Sequence, residues 1–308
     1  MTAAFADVTG CWVCGHGRFE RFHQARFDLD AYRDQDPELA AYTGSTVRLQ
    51  RCRSCGFAQP DRLPSLPRFF DRMYDQLWSP DWVAGEFEAT YKDRIFRRIL
   101  DLLDARVPPG RRRLLDVGAH AGRFLHLARE AGWTIEGVEV NTRTAAFAAS
   151  RTGARVYQVN ASMLHTIGQT YDAVTLTDVL EHVPNPVDLL TMLRTLVSAG
   201  GWIAVKVPCA PAQLLKERAR QAINRGYVPR LADNLVHVNH FSPASLRLAL
   251  ERAGFGRVHL EVAAPECPAG SAASNALRTA LYRVARVVPF GVHTPLALNL
   301  QACARHGG

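Results

Sequence analysis

Long apolar runs are missing from this chain: no segment approaches the roughly 18 unbroken apolar residues that suggest a membrane span. The opening MTAAFADVTG has neither the basic start nor the apolar run of a secretion signal. A cytoplasmic location is therefore expected. Lysine is nearly absent as well. Of 37 basic residues only Lys92, Lys206 and Lys216 are lysine. With so much alanine beside it, the arginine excess reads as codon bias. The formal charge of +8 raises the question of nucleic acid, but the basic residues are scattered. Short clusters at Arg111, Arg112 and Arg113 and at Lys216, Arg218 and Arg220 read as solvated linker and helix faces. Internal repeats are absent apart from one pair of cysteine knuckles. What remains is an ordinary globular composition, 47% hydrophobic and 21% charged. Its 308 residues suffice for one α/β core with an appendage, or for two modest domains.

The seven cysteines are unevenly placed. Cys11-Trp-Val-Cys14-Gly15 and Cys52-Arg-Ser-Cys55-Gly56 repeat one pattern, whereas Cys209, Cys267 and Cys303 stand alone. A two-residue spacer lets both sulfurs of a pair face one metal, and the following glycine can take the positive φ that turns N–H groups toward the thiolates. Four thiolates make a closed tetrahedral site, so structural zinc is expected rather than catalytic zinc. Disulfide or redox chemistry is the competing reading, disfavoured by a reducing compartment and by the second copy. His16 and His23 are potential substitutes for one thiolate, with surface histidines the plainer reading. So small a ribbon has little core, and the metal is expected to supply much of its folding free energy.

Three regions are expected: a zinc-binding module over 1–60, a linker with covering helices over 61–110, and an α/β domain over 111–308 with insertions at about 209–241 and 265–295. Prolines interrupt residues 60–67, and the apolar spacing over 68–105 predicts two helices. From Arg113 onward, apolar runs alternate with amphipathic helices, which argues for a parallel sheet covered on both faces. Strands are expected near 113–117, 133–139, 155–159, 171–177, 201–207, 257–263 and 296–304. Asn185-Pro186 opens a helix that Gly200-Gly201 should close, and Ser242-Pro243 opens another.

The turn after the first of these strands, LLDVGAHAGRFL, fails the dinucleotide pattern, because His120 and Arg123 stand where its second and third glycines belong. The frame that fits is acidic-x-Gly-x-x-x-Gly, at Asp116, Gly118 and Gly122. Here the chain resembles the class I S-adenosylmethionine-dependent methyltransferases, with His120 at the family's usual middle glycine. Further motifs follow in order. Val138-Glu139-Val140-Asn141 ends the second strand with an acid able to accept from both ribose hydroxyls, and Asn160-Ala161-Ser162 ends the third, with Asn160 at the family's more usual aspartate. The run Asp178-Val-Leu-Glu181-His182-Val follows the fourth. His237-Val-Asn-His240-Phe-Ser-Pro precedes the last covering helix in one bacterial branch, with His240 in place of an aromatic residue; the paired Cys-x-x-Cys-Gly module belongs to the same branch.

The resemblance covers about Arg113 to Arg305. It implies a Rossmann-like seven-stranded methyltransferase sheet with an N-terminal zinc ribbon. Cofactor contacts are expected from Asp116, Gly118, Ala119, His120, Gly122, Glu139, Val140, Asn160, Ala161 and Asp178, and zinc ligation from Cys11, Cys14, Cys52 and Cys55.

Methyl transfer from a sulfonium requires close, aligned reactants and a proton acceptor for the nucleophile. His182, His237 and His240 are the candidates, because histidine titrates near neutrality; each could instead cap a helix or fill a wall. The 209–241 insertion is expected to cover the substrate. The basic amphipathic helix within 265–295 is expected to roof the pocket or make a homodimer contact, with membrane-surface binding as the lesser alternative. The leading function is methylation of a small-molecule acceptor, a hydroxyl of a sugar or secondary metabolite. An RNA methyltransferase is disfavoured by the acidic loop of Asp28, Asp30, Asp34, Asp36 and Glu38. A non-catalytic zinc scaffold that binds the cofactor is the third reading.

Overall fold

The structure, a computed structural model, describes residues 3–74, 78–270 and 272–307. Five short strands come first: β1 (Phe5–Asp7), β2 (Phe19–Arg26), β3 (Thr46–Cys52), β4 (Ala58–Pro60) and β5 (Arg62–Pro64). Strands β2, β3 and β4 form an antiparallel sheet, and β1 pairs with β5. Alternation decides which face turns inward, with Val47 and Leu49 buried and Arg48 between them in solvent. The expected loop between the knuckles is partly ordered into helix α1 (Pro37–Ala40), whose Leu39 N–H the Asp36 carboxylate caps.

Three helices rather than two follow: α2 (Phe69–Tyr74), α3 (Pro80–Glu88) and α4 (Asp93–Asp104). The chain restarts at Ser79, whose hydroxyl accepts from Trp82 N ahead of a first-turn proline, and stops at Ala89 in an extended conformation. Apolar spacing alone does not register those two interruptions.

The α/β part then runs β6 (Arg113–Val117), α5 (Arg123–Glu130), β7 (Thr134–Val138), α6 (Thr142–Thr152), β8 (Arg155–Tyr157), β9 (Tyr171–Thr177), α7 (Pro186–Leu196), β10 (Val197–Pro208), α8 (Ala210–Ile223), α9 (Pro243–Arg252), β11 (Phe255–Val262), α10 (Ala272–Val287) and β12 (Asn299–His306). Seven strands stand in the order β11-β12-β10-β9-β6-β7-β8. The sheet is mixed, correcting the parallel expectation: β12 returns between β10 and β11, antiparallel to both. Helix α7 ends at Leu196, before Gly200-Gly201. That pair instead lies where the β9–β10 register shifts, and a Cβ on Gly201 would sit 2.9 Å from the Asp172 carbonyl oxygen.

The two sheet faces separate neighbouring residues. Leu114, Ala173 and Ala204 pack on the side of α4 and α5, and Leu115, Val174 and Ile203 on the side of α7 and α9. The N-terminal module has little core of its own and borrows one from its neighbours. Phe22, Phe27, Val47 and Leu49 pack with Phe69 and Met73 of α2 and with Ala210, Leu235 and Val238 of the 209–241 segment. Backbone bonds between Ala58 and His240 run in both directions, at 3.0 and 2.9 Å, and stitch the module to the sheet's end. The acidic loop is partly neutralised: Arg72 takes Asp36 in a fork at 2.6 Å and Glu38 at 2.9 Å, and Arg33 takes Asp30. Its expected repulsion of phosphate is correspondingly weaker.

Candidate active site

A cavity of about 790 Å³ opens where β6 and β9, neighbours in space but not in sequence, diverge at their C-terminal ends. This is the switch point at which open α/β sheets bind ligands. Its floor comes from Asp116–Ala121, Val138–Asn141, Thr177–Val179, His182 and Val183; its roof comes from the segment ahead of the sheet, including Leu63, Phe70, Tyr74, Trp78, Trp82, Lys92 and Phe96. Neither insertion contributes to the described lining, so residues 209–241 and 265–295 do not cover the pocket as expected. The segment ahead of the sheet does.

The glycine turn is built by close approach. Gly118 has φ of +80°, and a Cβ there would stand 2.4 Å from Val179 Cγ2; Gly122 has φ of +87° and would meet Ala148 at 3.0 Å. His120 adopts φ of 49°, so the turn keeps the left-handed shape of the glycine it replaces, a strain of about 1–2 kcal/mol. Its ring lies edge-on to Trp82, which stacks on Trp78 at 4.2 Å. Asp116 is buried at the turn's base and accepts from Thr175 Oγ1 at 2.7 Å. Burial pushes its pKa up to about 7. Glu139 is held by two backbone donors, His120 N at 2.8 Å and Asn141 N at 2.9 Å, one on each oxygen. Both oxygens are thus oriented with lone pairs to spare.

Gly118, Ala119, His120, Glu139, Val140, Ala161 and Asp178 line the cavity with Asp116. Gly122 and Asn160 are absent from that lining. Gly122 starts α5, and Asn160 caps the turn beginning at Ala161, accepting from Ser162 N at 3.1 Å.

Sequence reasoning missed the partners of Asp178. Lys92 donates to it at 2.9 Å, and the buried Lys206 donates to its other oxygen. Against burial, these two cations hold the Asp178 carboxyl well below its usual range. Two of the chain's three lysines converge on one carboxylate, and their scarcity was the available signal. Asn239 was missed too: its side-chain amide donates to the carbonyls of Leu180 and Val183 at 2.7 and 2.6 Å, bracing the turn that carries His182.

The histidines divide. His182 lines the cavity, and its Nδ1 lies 2.5 Å from the Val236 carbonyl oxygen and 2.8 Å from Tyr74 Oη. With Nδ1 donating to that carbonyl, Nε2 keeps the lone pair. Burial lowers its pKa, so the ring is neutral near pH 7. His237 stands behind it, ring centroids 4.8 Å apart, and is drawn down to about 3 by burial and then by His182 and His240. His240 lies in the module interface with its ring 5.7 Å from Phe22, pulled there by the Ala58 bridge, and burial lowers it to about 4. Neither His237 nor His240 is among the described lining. Glu181 is fully buried, which raises its pKa and favours the protonated acid.

At the far end of the module, Cys11 Sγ lies 3.6 Å from Cys55 Sγ and Cys14 Sγ 3.5 Å from Cys52 Sγ. A tetrahedral zinc with bonds near 2.3 Å would separate sulfurs by about 3.8 Å; these two separations are near that, and all four sulfurs lie within 4.8 Å of one another. Gly15 and Gly56 have the expected positive φ, 79° and 73°.

Residues 87–260, more than half of the chain, match the family described as Methyltransferase domain. The chain belongs to that family. Among curated relatives, the ubiquinone biosynthesis O-methyltransferases of Burkholderia multivorans and Paraburkholderia xenovorans are 29% and 28% identical over 140 residues, which is 44% of this chain. The match spans 58% of the length of those relatives. Among solved structures, a methyltransferase in complex with the Haloferax volcanii Trm112 activator aligns with TM-score 0.50 and 14% identity, over 78% of this chain and 98% of that one. The cyclase SpnF aligns with TM-score 0.50 and 20% identity, over 77% and 95%. Both likenesses concern the fold alone. Among the described residues, no helix is long and apolar enough to cross a membrane.

Proposed function

We propose that this chain is an S-adenosylmethionine-dependent methyltransferase that acts on a small-molecule acceptor, at a hydroxyl of a sugar or secondary metabolite. The observation carrying the reading is that neutral His182 lines the same cavity as Asp116 and Glu139. The names of the curated relatives, O-methyltransferases of ubiquinone biosynthesis, support an oxygen of a small molecule. Bound S-adenosylmethionine would supply an electrophilic methyl group. Glu139 would hold the ribose hydroxyls, and Asp116 with the Gly118–Gly122 turn would receive the aminoacyl end. His182 Nε2 would accept the acceptor's proton while its Nδ1 stays anchored on Val236. His237 and Asn239 would position that ring rather than react.

We further propose that Cys11, Cys14, Cys52 and Cys55 hold structural zinc within a module over 1–60, that 61–110 covers the pocket, and that 111–308 is the catalytic domain. The cysteine spacing supports the metal, and the roof lining supports the covering role. His182→Ala should lower kcat by about a hundredfold or more and leave S-adenosylhomocysteine affinity by calorimetry within about twofold. Unchanged turnover would remove His182 from the mechanism.

A further inference from the structure

We propose that α10 and the turn after it form a docking surface for an anionic lipid bilayer, holding the enzyme at a membrane surface without spanning it. The helix is packed on one side only. Tyr282 and Ala285 face the core, whereas Leu277, Leu281, Val284 and Val288, at helical spacing, form a stripe exposed to solvent. Leu277 is 61% exposed. The helix then runs out through Val287, Val288 and Pro289 to Phe290, with Val287 80% and Phe290 83% exposed. Phe290 holds φ of 58°, a left-handed conformation that is unusual for a bulky residue and that turns the chain back at this tip. Apolar side chains presented this way need a cover.

Charge says which cover. Helix α10 carries Arg278, Arg283 and Arg286 and no acidic residue. The nearby carboxylates are engaged elsewhere, Glu261 by Arg98 and Glu266 by Lys206. Residues 209–241 and 265–295 together hold eight lysine or arginine residues against three acidic ones, a surplus of five out of the chain's net +8. A helix with an exposed aliphatic stripe, a phenylalanine in the turn after it, and arginines but no acidic residue along its length can bury the apolar side chains among acyl chains while Arg278 and Arg283, beside the stripe, meet phosphates. A second copy of the chain would set the same arginines against each other. Nucleic acid would leave the leucine and valine side chains without an apolar partner. None of these residues lines the cavity, so the surface is separate from the catalytic site.

The test is co-sedimentation of the full chain with vesicles of phosphatidylcholine alone and with vesicles containing about one third phosphatidylglycerol, at low and high salt. Binding should be at least about tenfold tighter to the anionic vesicles and should weaken with salt. A variant carrying Val287→Ser and Phe290→Asn, the asparagine chosen because it tolerates the left-handed backbone, should lose at least about tenfold in vesicle affinity. Its S-adenosylhomocysteine affinity should not change, which separates docking from folding and from the catalytic reading. No vesicle binding by the unaltered chain, equal binding by the variant, or a solution dimer that the variant dissociates would overturn the proposal.

Discussion

Single residues here carry unusual electrostatic loads. His237 and His240 are kept neutral by burial, at about 3 and about 4, against an ordinary value of 6.5. In the unfolded chain each binds a proton below pH 6.5, while in the folded chain each resists it. Their contribution to stability is therefore complete above pH 6.5 and is lost as pH falls toward 4. His240 also leaves Nε2 buried without a partner. His240→Phe should remove one titrating group and flatten the fall in stability between pH 7 and pH 5 by about 1–2 kcal/mol, read from urea unfolding at the two pH values. An unaltered slope would mean that His240 reaches water. The Lys92–Asp178–Lys206 cluster belongs to this scale as well. No spacing rule announces it, because its members come from α4, the end of β9 and β10.

At the scale of elements, the turn between β6 and α5 is where local sequence and tertiary packing meet. The acidic-x-Gly-x-x-x-Gly frame was readable, but its reason was not: Gly118 is required by Val179 as much as by any ligand. Gly118→Ala should cost about 1–3 kcal/mol of stability and weaken cofactor binding, from a strained φ and a side-chain clash together. Adding Val179→Ala should restore the share due to the clash and leave the share due to φ. Full recovery in the double variant, measured by thermal unfolding, would show that backbone strain is negligible. The roof teaches the complementary lesson. Helical spacing over 68–105 marked amphipathic helices correctly, yet the break at Ser79-Pro80 and the end at Ala89 depend on cap geometry that apolar periodicity does not sense.

For the whole molecule, the main consequence is that the cysteine cluster and the catalytic pocket are mechanically joined. From Cys55 the chain passes through Gly56 and Phe57 to Ala58, which bonds His240, three residues from His237. Phe57 packs on Phe241 at 5.1 Å. Removing metal with a chelator, or replacing Cys11 by serine, should lower the thermal midpoint by about 5 °C or more. Turnover should fall further than cofactor affinity, because the histidine segment loses its anchor while the Asp116–Glu139 half of the site keeps its own hydrogen bonds. Retention of one zinc per chain by the serine variant, measured by elemental analysis, would contradict the four-thiolate site.

What the amino-acid order determined by itself is whatever depends on neighbours along the chain. The alternating strands of the sheet, the glycine turn, the two Cys-x-x-Cys-Gly knuckles and the acid ending β7 are each local patterns with a local physical cause. The tertiary structure alone decided what depends on chain segments far apart. The antiparallel β12 was invisible because strand direction follows from connections and not from periodicity. The two insertions stay out of the cavity lining while the 61–110 helices enter it, because length marks an insertion but not the face on which it packs. Of three candidate histidines only His182 reaches the cavity, since a pair of backbone bonds at Ala58 draws the His237–His240 strand toward the cysteine module instead.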